Sequence, residues 1–410
     1  MDHILKGYKV LDFTHFLAGP TTTRIMAEMG AEVIKVELFP AGDAVRKLPF
    51  YKNGRSAYYV QQNRGKKSLC IDVKTPEGLE IIKELLAEVD VVTENFSVGA
   101  MARMGLGWED IHKINPRIVM SSITAFGQTG PLSHLSGFDA IGQAYAGVSD
   151  MIGDPNGAPS CPMLGIGDVM TGVHALAAVG FALLHREKTG KGQYLDTSLL
   201  DSYFHNHELN VQITSCTKGA MVPTRNGSHH FAISPAGIFK GKNRYMFIVG
   251  LLHLWEPLAK AMDREDLITN PLFKTNDLRV ENNAALVDII EDWIKAQESD
   301  EAAQKILEDL RIPVAPILTV KEAMEHPHLI ERKTVRTIND PVIGEFQIPG
   351  MPLRFSDFPD ELPLEAVWLG ENNREILSSY LGYTDKKIDD LYQASIIKTE
   401  DIPSPQAKAS

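Results

Sequence analysis

Residues 9–37 read KVLDFTHFLAGPTTTRIMAEMGAEVIKVE. The apolar run at 9–13 predicts a short strand, and Gly19-Pro20 predicts a turn before a helix over 22–29. The run at 31–37 predicts a second strand. A strand, a helix and a strand in this order form the unit from which parallel sheets are built. The start of the chain therefore favours an α/β fold.

The same alternation continues to residue 124. Strand patterns and helix patterns follow one another, and Thr75-Pro76 has the composition of a helix start. We predict strands at 68–73, 89–93 and 117–124, and helices from residue 76 and over 108–114. Regular alternation of this kind predicts a parallel sheet with helices on its faces.

The rest of the chain has a different pattern. Residues 127–167 are rich in loop formers, 238–249 have the pattern of a hairpin, 252–312 are mostly helical and 335–355 are rich in strand formers. We therefore predict that residues 1–224 form the first part of a large domain and that 225–325 form a smaller domain. Residues 326–410 would return to the large domain and end in a C-terminal tail.

Composition limits the class of protein. The chain has 410 residues and a net charge of −12, which argues against a general nucleic-acid binder. Cys70, Cys161 and Cys216 form neither a disulfide framework nor a zinc motif, so we predict a reducing compartment and no metal. No apolar run approaches the length of a membrane span and the first residues lack a signal peptide, so we expect a cytoplasmic protein without a membrane partner.

Asp168 is the strongest candidate for chemistry. It lies in LGIGDVMTG (164–172), among small residues at the predicted start of an apolar helix over 169–184. The positive end of a helix favours an ionised carboxylate, which suits a nucleophile. An aspartate at this place is also a common helix N-cap. The segment alone leaves both roles open.

Sequence motifs of other common enzyme classes are missing. The chain has no GxGxxG after its first strand, no P-loop and no GxSxG.

Several motifs in colinear order resemble one family over residues 5–385. They are VLDFTH with AGP at 10–20, GAEVIKVE at 30–37, ENF at 94–96 with RMGL at 103–106, TAFGQTGP at 124–131, GD at 167–168, TGKGQ at 189–193 and IPVAP at 312–316. The chain resembles the class III CoA-transferases of the carnitine CoA-transferase and formyl-CoA transferase type, a family that also includes the α-methylacyl-CoA racemases.

The resemblance implies a fold and an activity. It implies a large Rossmann-like domain built from both chain ends, a smaller inserted domain and an interlocked homodimer. It also implies transfer of CoA from an acyl-CoA donor to a carboxylic acid, with Asp168 as the nucleophile that forms mixed anhydrides and an aspartyl-CoA thioester. CoA and acyl-CoA would be substrates, and no cofactor would be bound permanently.

The resemblance also assigns site residues. The positions that match the family's CoA contacts are Leu17, Ala18, Ile71, Asp72, Lys74, Asn95, Phe96 and Arg103. Arg103 and Lys74 would meet phosphates of the nucleotide end. The candidates on the substrate side are His15, Phe138, Asp139 and Gly227.

The chain departs from the family pattern in three places. Many relatives have Asn-Phe-Arg-Pro-Gly where this chain has NFSVG at 95–99, and some have basic residues where Leu38 and Phe39 stand, so Arg46 is a candidate replacement. The glycine-rich run that covers the active site of formyl-CoA transferase is absent, and residues 225–228 are a shorter candidate lid.

Two alternatives to the transferase remain. A racemase needs two opposed acid/base groups, and the histidine that the family's racemases use falls in the segment where this chain has Phe138. Phe138 cannot exchange a proton, which disfavours the racemase. The third possibility is a non-catalytic acyl-CoA-binding protein. The identity of the donor and acceptor acids does not follow from the sequence.

Overall fold

The computed structural model describes residues 2–48 and 50–401, which fall into two compact units. The large unit comprises 2–146, 163–206 and 327–401, and the small unit comprises 147–162 and 207–326. We predicted the small domain at 225–325. The observed small unit also includes 147–162 and 207–224. Long-range contacts explain this difference, because Arg225 pairs with Asp150 and Thr224 Oγ1 donates to Asp150 Oδ2 at 2.9 Å. The end of the predicted tail, 402–410, lies outside the described residues.

The strands are short and spread over the whole chain. They are β1 Lys9–Asp12, β2 Glu32–Leu38, β3 Tyr51–Lys52, β4 Arg55–Ser56, β5 Lys66–Ile71, β6 Val91–Glu94, β7 Val119–Thr124, β8 Gln193–Ser198, β9 Ala236–Lys240, β10 Tyr245–Val249, β11 Val314–Pro316, β12 Val335–Asp340 and β13 Gly344–Pro349.

The helices connect these strands. They are α1 Ala18–Glu28, α2 Ala57–Asn63, α3 Pro76–Glu88, α4 Ala100–Arg103, α5 Trp108–Ile114, α6 Asp139–Tyr145, α7 Ile166–Thr189, α8 Leu199–His205, α9 Asn210–Cys216, α10 Trp255–Ala261, α11 Asp266–Thr269, α12 Asn276–Glu281, α13 Asn283–Ala296, α14 Asp300–Asp309, α15 Val320–Glu325, α16 Pro327–Glu331, α17 Asn373–Leu381 and α18 Asp385–Gln393.

Six strands form one parallel sheet in the large unit, in the order β5-β2-β1-β6-β7-β8. The prediction of an α/β fold with a parallel sheet is confirmed. Counted along the chain, this order is 3-2-1-4-5-6, the order of Rossmann folds. The order reverses between β1 and β6, and ligands of such sheets bind beyond the carboxyl ends of the strands at that point.

Except at β8, nearly every residue of the sheet's strands is buried, so both faces of the sheet are covered. Successive residues of a strand point to opposite faces. Leu11 accordingly packs in a core cluster with Leu85 of α3, and Val10 packs in another with Leu176 of α7.

Helix α7 packs closely against α1. A Cβ on Gly172 would lie 2.5 Å from the carbonyl oxygen of Ala18, and Thr22 Oγ1 donates to the carbonyl of Gly172 at 2.9 Å. By length and composition α7 could cross a membrane, so the expectation that no apolar run has that length is wrong. Core helices of soluble proteins pass the same test, and 44% of the most apolar window of α7 is buried.

Other elements agree with their sequence patterns except at one break. Residues 238–249 and 335–355 contain the antiparallel pairs β9–β10 and β12–β13. The sequence of 199–211 has the pattern of one continuous helix, but α8 ends at His205 and α9 begins at Asn210. The division between the units falls in this gap. A break set by tertiary packing leaves no mark in helical periodicity.

Candidate active site

A cavity of about 380 Å³ lies in the large unit, lined by residues that follow the ends of β1, β6 and β7. This is the edge of the sheet where the strand order reverses. The cavity brings together many of the residues singled out from the sequence, namely His15, Leu17, Ala18, Asn95, Phe96, Arg103, Phe138 and Asp168.

The loop after β1 is fixed from two sides. The Asn95 side chain accepts a hydrogen bond from the backbone N–H of His15 at 2.8 Å and donates to the carbonyl of the same residue at 2.8 Å. From below, Asp12 Oδ1 accepts from the backbone N–H of Thr14 at 2.8 Å, and Lys35 Nζ donates to the carbonyl of Thr14 at 2.5 Å. These contacts hold the wall of the cavity between β1 and α1.

Helix α1 begins at this wall. Its N-cap residue is Leu17, whose side chain makes no capping hydrogen bond. The first N–H groups of a helix lack intrahelical acceptors and favour an anion. The Leu17 side chain packs so closely on Gly165 that a Cβ there would lie 2.3 Å from Leu17 Cδ2. The backbone at Leu17 and Ala18 is therefore held close to the start of α7.

Asp168 lies in the first turn of α7, with Gly165 as the N-cap, so the interpretation of Asp168 as the N-cap is wrong. Its side chain is part-buried in the wall of the cavity. Burial and the negative charge of Asp139 raise the pKa of Asp168 to about 7. The helix start alone predicted a stabilised carboxylate. This prediction of a lowered pKa is wrong, because burial and the like charge of Asp139 outweigh the effect of the helix end.

Asp139 does not line the cavity but lies behind Asp168. Its Oδ2 accepts the backbone N–H of Asp168 at 2.8 Å, and its Oδ1 accepts the hydroxyl of Tyr203 at 2.5 Å. The Tyr203 hydroxyl in turn accepts the backbone N–H of Gly167 at 3.0 Å. Sequence reasoning missed Tyr203, because a tyrosine on an apolar helix face has the pattern of an ordinary core residue.

Three of the predicted CoA contacts lie at the end of β5, outside this cavity. Ile71 is fully buried and its carbonyl accepts the N–H of Phe39, while the N–H of Asp72 donates to the carbonyl of Ile396. Lys74 is exposed. Backbone groups of Ile71 and Asp72 are therefore already used by neighbouring segments.

Two further candidates are placed differently from the cavity residues. Gly227 belongs to the small unit, where it lines a separate cavity of about 240 Å³ and donates its N–H to the carbonyl of Gly153. Arg46, considered as a replacement phosphate contact, pairs with Glu37 at 2.6 Å and is nearly buried. The role of Arg46 in phosphate binding is not supported, because its charge is already neutralised.

Two titratable groups of the cavity region have shifted pKa values. Burial lowers the pKa of His15, which favours the neutral form of its imidazole. Burial, with a contribution from Asp196, raises the pKa of Glu94 to about 7 against hydrogen bonds from Ser122 and the N–H of Phe96. Within the described residues, histidines, cysteines and acidic side chains form no group that could hold a metal ion.

The strand order and the position of the cavity define an α/β fold of the Rossmann type, with a carboxylate in the wall of the cavity. The chain belongs to CoA-transferase family III, whose family model matches residues 5–373. It is therefore an enzyme of the class III CoA-transferases.

Similar proteins agree with this family. Succinyl-CoA:glutarate CoA-transferase of Homo sapiens is 36% identical over 395 residues, covering 96% of this chain and 90% of the human protein. Formyl-CoA:oxalate CoA-transferase of Streptomyces avermitilis is 34% identical over 405 residues, covering 95% of this chain and 98% of that protein. The crystal structure of a CAIB/BAIF family protein from Brucella suis superposes with a TM-score of 0.81 at 31% identity, covering 93% of this chain and 100% of that one.

Proposed function

We propose that the enzyme transfers CoA from an acyl-CoA to a carboxylic acid through covalent intermediates on Asp168. The observation that carries the proposal is the place of Asp168. It is a part-buried carboxylate in the wall of a cavity that lies at the ligand-binding edge of the sheet. A carboxylate there can reach a bound thioester and is partly shielded from water.

The reaction proceeds by exchange of bonds at carbonyl carbons. The Asp168 carboxylate attacks the donor thioester, the C–S bond breaks, and CoA thiolate leaves a mixed anhydride. The thiolate attacks the aspartyl carbonyl, releases the donor acid and forms an aspartyl-CoA thioester. The acceptor carboxylate then displaces the thiolate to form a second anhydride. The thiolate attacks the acceptor's acyl carbon, which yields the new acyl-CoA and restores the carboxylate.

We propose that CoA enters along the cavity wall formed by residues after β1 and β6. Leu17 and Ala18 offer the start of α1 to an anionic group, and Phe96 offers an apolar face. Arg103 is the cation of the wall and would meet a phosphate. Lys74 is exposed at the end of β5 and is a candidate for the nucleotide end. For Ile71 and Asp72 the proposal rests on the family resemblance alone, because the carbonyl of Ile71 and the N–H of Asp72 already bond to neighbouring segments.

The four candidate substrate residues would have different roles. His15 and Phe138 line the cavity and would contact the acyl group. Phe138 stands edge-on to Phe16 with ring centroids 6.0 Å apart, which gives that wall an apolar character. Asp139 would act from behind Asp168. Gly227 belongs to residues 225–228, which we propose as a lid of the small unit.

We also propose that the enzyme is the intertwined homodimer that the family resemblance implies. One face of α7 supports a second copy, because large apolar side chains stay exposed there at helical spacing, namely Ile166, Val169, Val173, Phe181 and Leu184. Size-exclusion chromatography with light scattering should give twice the chain mass, and Phe181→Lys should reduce it. A wild-type monomer at micromolar concentration would contradict the proposal.

The central experiment measures exchange and traps the intermediate. Purified enzyme is given succinyl-CoA or formyl-CoA with a panel of carboxylic acids, and new acyl-CoA is detected by mass spectrometry. Hydroxylamine added during turnover should convert Asp168 to its hydroxamate. Asp168→Ala should abolish exchange but keep CoA binding, whereas Asp385→Ala, which changes an exposed first-turn aspartate of α18, should leave exchange unchanged. Normal turnover with Asp168 never modified would refute the covalent route.

The same preparation separates the alternatives. In deuterated water without an acceptor acid, a chiral 2-methylacyl-CoA should gain no α-deuterium if the enzyme is a transferase. Uptake of α-deuterium would favour the racemase. Binding of CoA without any exchange across the whole panel would favour the non-catalytic protein.

A further inference from the structure

Tyr203 of α8 contacts the start of α7 in two ways. Its side chain is buried, with 3% exposed, and its ring lies against Gly167 so closely that a Cβ there would be 2.1 Å from Tyr203 Cε2. Its hydroxyl is used twice, as the acceptor for the N–H of Gly167 and as the donor to Asp139. The Tyr203 ring therefore leaves no space for a side chain at residue 167, and the Tyr203 hydroxyl supplies the acceptor for the Gly167 N–H.

We propose that Tyr203 is a positioning residue for Asp168 and that it acts through Asp139 and the backbone at Gly167. The proposal rests on the proposed function, because it matters only if Asp168 is the nucleophile. Tyr203 does not line the cavity and touches no substrate, so it is not a catalytic residue in its own right.

The argument starts from the free N–H groups of a helix start. Gly167 and Asp168 lie in the first turn of α7, where N–H groups have no intrahelical acceptor. The Tyr203 hydroxyl accepts the first of these N–H groups and Asp139 Oδ2 accepts the second, at 2.8 Å. An acidic side chain in the first turn of a helix commonly accepts a free N–H at that end. Here other groups do so, which leaves the Asp168 carboxylate uncommitted.

The same network keeps a negative charge next to Asp168. The hydrogen bond from the Tyr203 hydroxyl fixes Asp139 Oδ1, and the opposite oxygen then faces the Asp168 N–H. Repulsion from Asp139 disfavours the ionised form of Asp168. An aspartyl anhydride or thioester has no charge, so acylation relieves this repulsion. The Asp168 charge also acts on Tyr203 itself and on Tyr58 of α2, and burial with that charge raises the pKa of Tyr58 to about 12.

The test removes the hydroxyl and keeps the ring. Tyr203→Phe should lower kcat by about 10-fold to 100-fold, the range expected for losing a hydrogen bond to a charged group. The KM for acyl-CoA should change less than about twofold, because no CoA contact is lost. Tyr383→Phe is the matched control, because its hydroxyl donates to Glu84 at 2.9 Å, away from the cavity residues. We expect wild-type kinetics from Tyr383→Phe.

A double-mutant cycle tests whether Tyr203 acts through Asp139. Tyr203→Phe combined with Asp139→Asn should have nearly the kcat of Asp139→Asn alone, because the second change removes the group that the first one positions. The acid limb of the kcat profile should move to lower pH in both single variants, since each one displaces or removes the charge beside Asp168. Multiplicative losses, or a Tyr203→Phe variant with raised KM and unchanged kcat and pH profile, would overturn the proposal.

Trapping distinguishes this inference from the proposed function. If hydroxylamine labels Asp168 in the wild type while Tyr203→Phe turns over normally, Asp168 is the nucleophile and the role of Tyr203 is wrong. If the wild type is never labelled during turnover, the nucleophile itself is wrong and both proposals fail. Tyr203→Leu, which loses both ring and hydroxyl, should lower kcat at least as far as Tyr203→Phe when both variants retain the wild-type circular dichroism spectrum.

Discussion

Asp139 Oδ2 accepts the backbone N–H of Asp168 at 2.8 Å, so two carboxyl groups are held together at the start of one helix. The contact stabilises the backbone of Asp168 and destabilises its charge. Burial acts in the same direction and is the larger effect on the pKa of Asp168. The nucleophile proposed for this enzyme is thus only partly ionised at neutral pH. Its reactivity should depend on pH in the physiological range.

The first prediction concerns the rate at acid pH. Only the ionised carboxylate attacks, and its pKa is about 7, so kcat/KM should fall about tenfold for each pH unit below that value. Asp139→Asn removes the like charge and should move this limb to lower pH. Rates from pH 5 to 9 with one donor and acceptor pair provide the measurement. A limb that is unchanged in Asp139→Asn would assign the titration to another group, such as Glu94.

The second prediction concerns stability. The pKa of Asp168 rises from an ordinary value of 3.8 to about 7 on folding, so between these values the folded chain binds a proton that the unfolded chain lacks. The free energy of unfolding should therefore fall as pH rises through this window. Asp168→Asn removes the effect. Its melting temperature should exceed that of the wild type at pH 8, and the difference should shrink toward pH 4. An equal difference at both pH values would contradict the shift.

The third prediction concerns the cavity wall. Asn95→Ala removes both hydrogen bonds to the His15 backbone and should raise the KM for acyl-CoA while destabilising the fold by about 1–3 kcal/mol. Asn115→Ala is the matched control, because the Asn115 side chain also makes two hydrogen bonds to the backbone, donating to the carbonyls of Leu86 and Val89 away from the cavity. It should destabilise the fold but leave KM unchanged. Steady-state kinetics with urea unfolding measure both effects, and a similar KM in the two variants would contradict the role of Asn95.

The fourth prediction concerns the small unit. The buried Asp300 carboxylate accepts N–H groups of Lys242, Asn243 and Arg244 in the turn between β9 and β10, at 2.7, 2.8 and 3.2 Å. Although burial opposes the effect, these hydrogen bonds hold the pKa of Asp300 below its ordinary value. Its contribution to stability is present above the unfolded pKa, near 3.8, and is lost as pH falls through the lower folded value.

Asp300→Ala should therefore destabilise the protein by about 3 kcal/mol at pH 7, because three N–H groups lose their acceptor. Asp300→Asn keeps one acceptor oxygen and should cost less. Urea unfolding at pH 7 measures the difference. If both variants were as stable as the wild type, the turn would not depend on this carboxylate.

The sequence by itself determined the elements whose causes are local. Apolar runs and turn residues located the strands of the parallel sheet to within a few residues, and the predicted helix at 108–114 has the bounds of α5. The order of short motifs identified the family and pointed to Asp168. Many of the residues chosen from the same motifs line a single cavity, because parallel strands end at the same edge of a sheet.

Only the tertiary structure decided how charges and hydroxyl groups meet. Asp139 and Tyr203 are 64 residues apart and share a hydrogen bond, and no periodicity of either segment predicts it. The sequence allowed Arg46 to bind phosphate, but in the folded chain Arg46 pairs with Glu37. The sequence predicted a stabilised Asp168 carboxylate, whereas the pKa of Asp168 is raised, for the same reason. A helix start is a local feature, whereas burial and a neighbouring carboxylate arise only when distant segments pack together.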